Sequence, residues 1–239
     1  MAESDPVVAL LAGASGFAGA RALEALLDAP DVARVFAVTR RPLGREHPRL
    51  ANRIVQFEHL ERQLLGLRCQ VALCCLGARA AERDARESLE RVDVGYTLAF
   101  ARAARAAGAR RFIVLSAAGA DPLSKTDYLR AKGLLEQSLG ALGFPSLDIL
   151  QPALILGWPV EAPPGEVMRR ALMPLVNPLL VGPRTARRGI PVKTTAAAMV
   201  GALRSGRRGL QRYDYRAICA LAQIKPRRPV MAAAAPATP

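Results

Sequence analysis

The sequence predicts an α/β protein with a doubly wound parallel sheet of Rossmann type and a small C-terminal region that covers a substrate. Apolar runs alternate with helical patterns through the first 150 residues, and a glycine-rich turn follows the first of these runs. The runs are nearly continuous, as is typical of parallel strands that are buried on both faces. At 239 residues the chain is long enough for one large domain with a well-buried core.

Six apolar runs are predicted strands, and helical patterns lie between them. The predicted strands are Val7–Ala12, Val35–Thr39, Arg53–Phe57, Val71–Leu76, Phe112–Ser116 and Leu147–Gln151. The predicted helices are Ala18–Leu27, Leu60–Leu67, Ala85–Ala107 and Tyr128–Leu142. Gly108 and Gly143 stand where helix C-caps belong. A run of βα units of this kind predicts a parallel sheet.

The sequence between Pro152 and Pro191 is rich in proline, which predicts that no long helix or strand forms in that stretch. Residues 152–193 and 205–225 are therefore the predicted substrate or lid portion of a single domain that spans 1–225. Residues 226–239 hold little besides proline, arginine and small residues, and this composition predicts a disordered tail.

Two further elements are predicted toward the end of the chain. Thr194–Arg204 has a helical pattern, with Thr194 or Thr195 as its N-cap. Tyr213–Ala222 has the pattern of a short strand followed by a final helix.

The formal charge of +14 raises the question of a nucleic-acid partner. Most basic residues are arginines scattered along the chain, and aromatic residues do not alternate with them as a stacking platform requires. We therefore expect no specific nucleic-acid partner. No window holds the roughly 18 uninterrupted apolar residues of a membrane span, so we expect no membrane partner. Residues 1–12 lack the basic start of a signal peptide, which predicts a cytoplasmic location.

Cysteine and histidine usage limits the chemistry further. Cys69, Cys74 and Cys75 lie close together in the sequence without the spacing of zinc ligands, so we interpret them as reduced thiols. His47 and His59 are the only histidines, and we expect neither a metal site nor a Ser-His-Asp triad.

Gly13, Gly16 and Gly19 follow the first predicted strand and open the first helix. Gly13 suits the positive φ of a tight turn, Gly16 lets a pyrophosphate approach the backbone, and Gly19 lets the helix pack closely on the strand. The N–H groups at the start of the helix, around Ser15 and Phe17, would then face the phosphates. The turn predicts a dinucleotide site, and an ordinary βα turn is the alternative.

Arg40 and Arg41 follow the second predicted strand. In dinucleotide folds this position lies beside the adenosine ribose, about 20 residues beyond the glycines. No Asp or Glu lies between Asp31 and Glu46 to accept a hydrogen bond from the 2′-hydroxyl of NAD. Guanidinium groups bind a 2′-phosphate instead. The pair therefore predicts NADP as the cofactor, and a solvated basic loop is the alternative.

Leu76 and Gly77 end the fourth predicted apolar run. A glycine at the carboxyl edge of a strand permits close approach of a cofactor. We include both residues in the predicted cofactor site, with a plain turn as the alternative.

Tyr128 and Lys132 stand four residues apart in a predicted helix, so they share one helix face. A lysine ammonium beside a phenol lowers the pKa of the phenol and can also hold a nicotinamide ribose. The tyrosine then acts as general acid or base toward a carbonyl or an alcohol. An exposed pair on a helix surface is the alternative.

Together these motifs resemble those of the short-chain dehydrogenase/reductase superfamily. Within it, the segments Phe112–Asp121 and Arg91–Tyr96 resemble the atypical NAD(P)-binding branch around the Tat-interacting protein. The resemblance spans roughly residues 7–222. It implies a Rossmann-type fold with NADP across the carboxyl ends of the strands, and it implies that Tyr128 is the catalytic acid or base and that Lys132 is its partner.

The resemblance also assigns a serine that polarises the substrate carbonyl. Ser116 is the candidate for this catalytic serine, and Ser124 is a second candidate. Ala117 and Ala118 stand where other members often keep a hydroxyl, and Asp93 stands where the superfamily keeps a helix asparagine.

We therefore expect an NADP-dependent oxidoreductase that acts on a small carbonyl or alcohol. An NADP-binding regulator or scaffold without turnover is the alternative, because of the two alanines after Ser116. A sugar-nucleotide epimerase or dehydratase is a third reading, although 153–222 leave little room for a nucleotide-sugar domain. The small residues of Ala85–Ala107 suit packing against a second copy, which predicts a possible homodimer.

Overall fold

The computed structural model describes residues 6–77, 87, 89–157 and 164–225. Its centre is a seven-stranded sheet in which every pair of neighbours is parallel, with the order β3-β2-β1-β4-β5-β6-β9. The strands are β1 Val7–Ala12, β2 Val32–Thr39, β3 Leu50–Ile54, β4 Val71–Cys74, β5 Arg111–Leu115, β6 Ser146–Leu150 and β9 Gly209–Tyr213. The predicted doubly wound parallel sheet is confirmed. The strand order reverses between β1 and β4, and doubly wound sheets bind ligands beside such a reversal.

Helices flank the sheet on both faces. They are α1 Phe17–Asp28, α2 Leu60–Gln63, α3 Thr97–Ala106, α4 Asp127–Ala141, α5 Pro164–Val176, α6 Val192–Arg204 and α7 Tyr215–Leu221, and a π-helical turn, Leu89–Tyr96, leads into α3. Of the helices in the described ranges, none is both long and apolar enough to cross a membrane. Residues 78–86 and 88 lie outside the described residues, and they include the predicted start of the helix Ala85–Ala107. The predicted tail 226–239 also lies outside them.

Two buried apolar clusters form the core, one on each face of the sheet. The first packs α1 and α6 against side chains such as Leu11 and Val35, and the second packs α2, α3 and α4 against the opposite face. The alternation of side chains along each buried strand feeds both clusters, which is why the apolar runs are nearly continuous in the sequence.

The third strand differs most from its prediction, Arg53–Phe57. It begins at Leu50 because that residue pairs with Val35, and it ends at Ile54. Val55 and Phe57 are buried in the core beyond the end of the strand. Because they are apolar, the sequence pattern placed the strand too far toward them. The other predicted strand bounds are correct to within one to three residues.

The lid contains more regular structure than its prolines predict. Strands β7 Leu154–Leu156 and β8 Gly189–Pro191 pair in parallel as a separate two-stranded sheet. The helix α5 runs for 13 residues with Pro174 inside its last turns. The prediction that no long element forms there is wrong. Pro164 stands at the first position of the helix, where the missing N–H has no intrahelical partner, and the helix continues through Pro174.

The helix predicted at Thr194–Arg204 begins two residues earlier, at Val192. Its N-cap is Pro191 rather than either threonine. The hydroxyl of Thr195 instead donates to the Pro191 carbonyl at 3.3 Å, from inside the first turn. The final helix predicted within Tyr213–Ala222 is α7, but the short strand lies earlier than predicted, because β9 ends at Tyr213.

The register of the sheet brings the carboxyl ends of its central strands to one edge. Ala12 at the end of β1 pairs with Val38 of β2 and with Cys74 of β4, and Cys74 pairs with Val114 of β5. The segments that follow these strands therefore open on the same edge of the sheet.

Candidate nucleotide and catalytic site

Two glycines of the turn between β1 and α1 are required by the backbone around them. Gly13 has φ +84°, and a Cβ there would lie 2.6 Å from the carbonyl group of Cys75. A Cβ at Gly19 would lie 1.9 Å from the carbonyl oxygen of Gly13. A Cβ at Gly16 would lie 3.3 Å from that oxygen, a tight but smaller conflict. The protein's own packing therefore explains Gly13 and Gly19 better than Gly16.

The start of α1 is shaped to receive an anion. Its N-cap, Gly16, offers no side-chain cap, and the first turn carries no acidic residue. Ser15 and Gly16 are exposed. Backbone N–H groups and the positive end of the helix dipole attract phosphate at such a terminus. The turn thus fits a pyrophosphate, which Gly13, Ser15, Gly16 and Phe17 would hold.

Phe17 joins the glycine turn to the lid. Its ring lies so close to Gly157, just after β7, that a Cβ at that glycine would be 2.7 Å from the ring. The same Cβ would be 3.3 Å from Val192, at the start of α6. The phosphate turn and the lid sheet are therefore packed on each other through one aromatic side chain.

Arg40 and Arg41 are exposed on the turn after β2, at the same sheet edge. The hydroxyl of Thr39 donates to the Arg41 carbonyl at 2.7 Å and accepts from the Asn52 amide at 2.7 Å. The carbonyl oxygen of that amide accepts from the Leu43 backbone N–H at 3.0 Å. Asn52, on β3, therefore holds the turn that carries both arginines. No sequence motif marks this residue.

Cys75, Leu76 and Gly77 follow β4 and leave the sheet, although the predicted strand ran to Leu76. The carbonyl of Cys75 lies against Gly13, and Gly77 lies near Asp93, whose Oδ1 would be 3.5 Å from a Cβ at Gly77. This segment thus connects the phosphate turn with the side chains described next.

Tyr128 and Lys132 share one face of α4, as the spacing predicts. The Lys132 Nζ lies 5.9 Å from the centre of the Tyr128 ring. The lysine is buried, whereas the tyrosine is partly exposed. A charged group is therefore held inside the protein beside a phenol that is partly exposed to solvent.

Asp93 holds the lysine. Its Oδ1 lies 2.5 Å from Lys132 Nζ, and both side chains are buried. Burial is the largest single effect and by itself lowers the pKa of the Lys132 ammonium. The charge of Asp93, the charge of Tyr128 and the hydrogen bond to Asp93 together outweigh burial, so the pKa lies above its ordinary value. The lysine is therefore charged at neutral pH.

The π-helical turn Leu89–Tyr96 supplies Asp93, and Leu89 and Asp93 are its buried residues. π-Helical turns are rare in proteins, and those that occur are often found at functional sites. The resemblance placed Asp93 at the position of a family asparagine, but it did not imply a direct ion pair with the lysine.

Ser116 lies at the same sheet edge, and its hydroxyl donates to Glu136 Oε1 at 2.6 Å. Glu136 stands one turn beyond Lys132 on α4 and is buried. It also accepts from Gln151 Nε2 at 2.8 Å and from Arg212 Nε at 2.8 Å. The hydroxyl proton of Ser116 is therefore committed to a carboxylate. Sequence reasoning did not identify Glu136, although its spacing from Tyr128 and Lys132 places all three on one helix face.

The loop between β5 and α4 packs closely on the helix that carries the tyrosine. A Cβ at Gly133 would lie 2.2 Å from the backbone of Asp121 and Pro122. The Asp121 N–H also donates to the Leu129 carbonyl at 3.1 Å. Ser124, the second serine candidate, lies in this loop, 3.0 Å from the hydroxyl of Thr126.

Burial disfavours the reactive thiolate form of the cysteines beside the site, because it raises the pKa of both Cys74 and Cys75. Burial raises the pKa of Cys74 to about 11, with opposing hydrogen bonds too weak to offset it. Within the described ranges, His, Cys, Asp and Glu side chains form no group of three or more that could hold a metal ion.

A parallel sheet of this order, a glycine turn at its switch point and a Tyr-Lys pair at the same edge define an NAD(P)-binding protein of the short-chain dehydrogenase/reductase class. The chain belongs to the NAD-dependent epimerase/dehydratase family, whose model matches residues 9–130.

Relatives in other organisms agree with the atypical branch predicted from the sequence. The protein named "fmp52, mitochondrial" of Aspergillus fumigatus is 32% identical over 167 residues, which are 67% of this chain and 71% of the relative. "Protein HTATIP2" of Rattus norvegicus is 33% identical over 162 residues, 66% of each chain. The predicted cytoplasmic location is wrong on this comparison, because the fungal relatives are named as mitochondrial proteins.

Solved structures share the fold at low sequence identity. A short-chain dehydrogenase from Burkholderia cenocepacia in complex with NADP has a TM-score of 0.61 and 20% identity, covering 86% of this chain and 87% of that one. MoeE5 in complex with UDP-glucose and NAD has a TM-score of 0.63 and 19% identity, covering 88% and 75%. The neighbours thus include proteins bound to either nicotinamide cofactor.

Proposed function

We propose that this protein is an NADP(H)-dependent oxidoreductase that acts on a small carbonyl or alcohol. The observation that carries the proposal is the Tyr128–Lys132 pair on α4. A buried, charged lysine beside a partly exposed phenol suits proton transfer to or from a substrate oxygen. The pair opens on the same sheet edge as the glycine turn, where doubly wound folds bind their cofactors.

The two exposed arginines support NADP over NAD. Arg40 and Arg41 stand on a turn that Asn52 and Thr39 hold in shape. No carboxylate lies between Asp31 and Glu46 to bind a free ribose hydroxyl. Guanidinium groups bind a phosphate through paired, charge-assisted hydrogen bonds. The 2′-phosphate of NADP is the group that this turn would recognise.

In the reductive direction, the carbonyl carbon would take up the hydride that NADPH supplies when it is bound. Tyr128 donates its phenolic proton to the carbonyl oxygen, so the product is an alcohol and the tyrosine becomes a phenolate. The Lys132 ammonium stabilises that negative charge. Solvent then returns a proton to the phenolate. In the oxidative direction, the phenolate accepts the proton of the alcohol.

A second candidate function is an NADP-binding regulator without turnover, and one contact favours it. The Ser116 hydroxyl donates its hydrogen bond to Glu136, so this hydrogen is not free to polarise a substrate carbonyl. Ala117 and Ala118, which follow it, have no hydroxyl. In this case the cofactor would bind without a reaction to follow.

Binding and turnover measured separately distinguish these functions. NADPH and NADH are titrated against the protein by calorimetry, and a panel of aldehydes and ketones is then tested for NADPH consumption. The oxidoreductase predicts preferential NADPH binding and consumption that Tyr128→Phe abolishes. Tyr215→Phe, a partly buried tyrosine on α7, is the matched control and should keep full activity. NADPH binding with no consumption across the panel would favour the regulator.

A further inference from the structure

Five large apolar side chains lie in water along the lid helix and just beyond it. They form what we call the lid stripe: Met168, Leu172, Leu175, Val176 and Leu179. Two of them, Leu175 and Leu179, are each 75% exposed. Single exposed apolar residues need no explanation, but a contiguous group of this kind marks an interaction surface.

The stripe occupies one face of α5. At about 100° per residue, its four helical members fall within an arc of roughly 100°. Met173 points elsewhere, into the lid: a Cβ at Gly189 of β8 would lie 2.8 Å from its side chain. The helix is therefore anchored on the lid sheet through Met173, and it presents a separate apolar face to the outside.

The segment of the sequence that contains and follows the stripe is strongly basic. Residues 167–213 contain ten Arg or Lys and no Asp or Glu, out of a formal charge of +14 for the whole chain. Arg184 and Arg187 are exposed on the turn Gly182–Arg187, directly after the stripe. An apolar face next to a cationic one is the pattern of surfaces that insert among lipid headgroups.

We propose that the lid stripe and the arginines after it dock the protein on the surface of an anionic lipid bilayer. The apolar side chains would enter the boundary between headgroups and acyl chains, and the arginines would meet the lipid phosphates. A lipid surface suits both features together. A nucleic acid would match the arginines through its phosphates but would leave the apolar side chains in water. A homodimer that paired two stripes would bring two positively charged segments together, and they would repel each other.

The inference departs from the sequence-based expectation of no membrane partner. That expectation rested on the search for a spanning segment, and the proposed contact does not span the bilayer. It is also independent of the proposed oxidoreductase activity, since vesicle binding needs no substrate and no turnover.

Vesicle co-sedimentation of the full chain tests the proposal. We expect binding to vesicles of phosphatidylcholine mixed with phosphatidylglycerol, weak binding to phosphatidylcholine alone, and a decrease on addition of salt. The double variant Leu172→Glu/Leu175→Glu should lower binding by about tenfold or more, because it removes apolar area that would become buried in the bilayer. Arg184→Gln/Arg187→Gln should weaken only the binding to anionic vesicles.

The matched control is Leu65→Glu/Leu123→Glu. Both leucines are highly exposed and lie outside the lid, so this variant carries the same added charge and should bind like wild type. Thermal unfolding and sedimentation velocity are measured on every variant. The proposal is overturned if wild type ignores anionic vesicles or if the control loses as much binding as the stripe variant. It is also overturned if the stripe variant only converts a dimer into monomers while vesicle binding persists.

Discussion

The Nζ of Lys132 lies 2.5 Å from Oδ1 of Asp93, and both side chains are buried. This pair fixes the ammonium beside the Tyr128 ring before any ligand arrives. The pair also links two elements, because Asp93 lies on the π-helical turn and Lys132 lies on α4. The helix that carries Tyr128 is thus tied to the π-helical turn Leu89–Tyr96.

Removal of the carboxylate should cost stability. Asp93→Ala leaves a buried ammonium without its partner, and we expect a loss of about 3–5 kcal/mol in the free energy of unfolding by urea. Because the pKa of Lys132 is raised, the pair's contribution is constant through neutral pH. The contribution of the lysine charge is fully present below the pKa of an unfolded lysine, about 10.4, and is lost as pH rises through the higher folded pKa.

An exposed ion pair provides the control for this loss. Glu87 pairs with Arg91 at 3.7 Å, and both side chains are mostly in water. Glu87→Gln should therefore change stability by less than about 1 kcal/mol. A similar cost for Glu87→Gln and Asp93→Ala would mean that burial does not give the Asp93 pair its importance.

Gly19→Ala should damage both the fold and the cofactor site. Its Cβ would lie 1.9 Å from the Gly13 carbonyl oxygen, so the phosphate turn must move. We expect a destabilisation of about 1–3 kcal/mol and a fall in NADPH affinity of about tenfold or more. Gly140→Ala on α4 meets nothing within 4 Å and should instead stabilise by about 0.5–1 kcal/mol. Calorimetry and urea unfolding of both variants check this contrast.

Arg40→Ala/Arg41→Ala should reduce NADPH affinity while NADH affinity stays close to wild type. Loss of two charge-assisted contacts to one phosphate corresponds to about tenfold to a hundredfold weaker binding. Arg34→Ala is the control, because Arg34 lies on β2 but far from the carboxyl end of that strand, where Arg40 and Arg41 follow. An equal loss of affinity for both cofactors would contradict the assignment of these arginines to the 2′-phosphate.

Asp31→Asn should weaken the protein most at neutral pH. Arg204 binds Asp31 through two hydrogen bonds, of 2.8 and 2.7 Å. Burial by itself raises the pKa of Asp31, but these bonds and the arginine charge outweigh it, so the pKa lies below its ordinary value. The stabilisation is therefore present above the unfolded pKa of about 3.9 and is lost as pH falls through the folded value.

Chemical denaturation across an acid series measures this dependence. The gap between wild type and Asp31→Asn should narrow as the pH falls below about 4. Asp28→Asn, at the exposed last residue of α1 and three residues before Asp31, should show little difference at any pH. A gap that is constant with pH would show that the carboxylate charge does not carry the effect.

The sequence predicted the features that depend on local spacing. The glycine turn, the buried parallel strands and the Tyr128–Lys132 face each follow from a short pattern with one physical meaning. The contacts of Asp93, Glu136 and Asn52 were beyond its reach, because each joins elements that meet only in the folded chain. The lid sheet was missed for a related reason, since three-residue strands have no period to detect.

A comparison of wild type and Tyr128→Phe in NADPH binding and NADPH-dependent carbonyl reduction tests the central claim most directly. We predict that both bind NADPH with affinities within about threefold of each other, and that only wild type consumes it, with at least a hundredfold difference in rate, about 2.7 kcal/mol. Equal rates in the two proteins would contradict the assignment of Tyr128 as the catalytic acid.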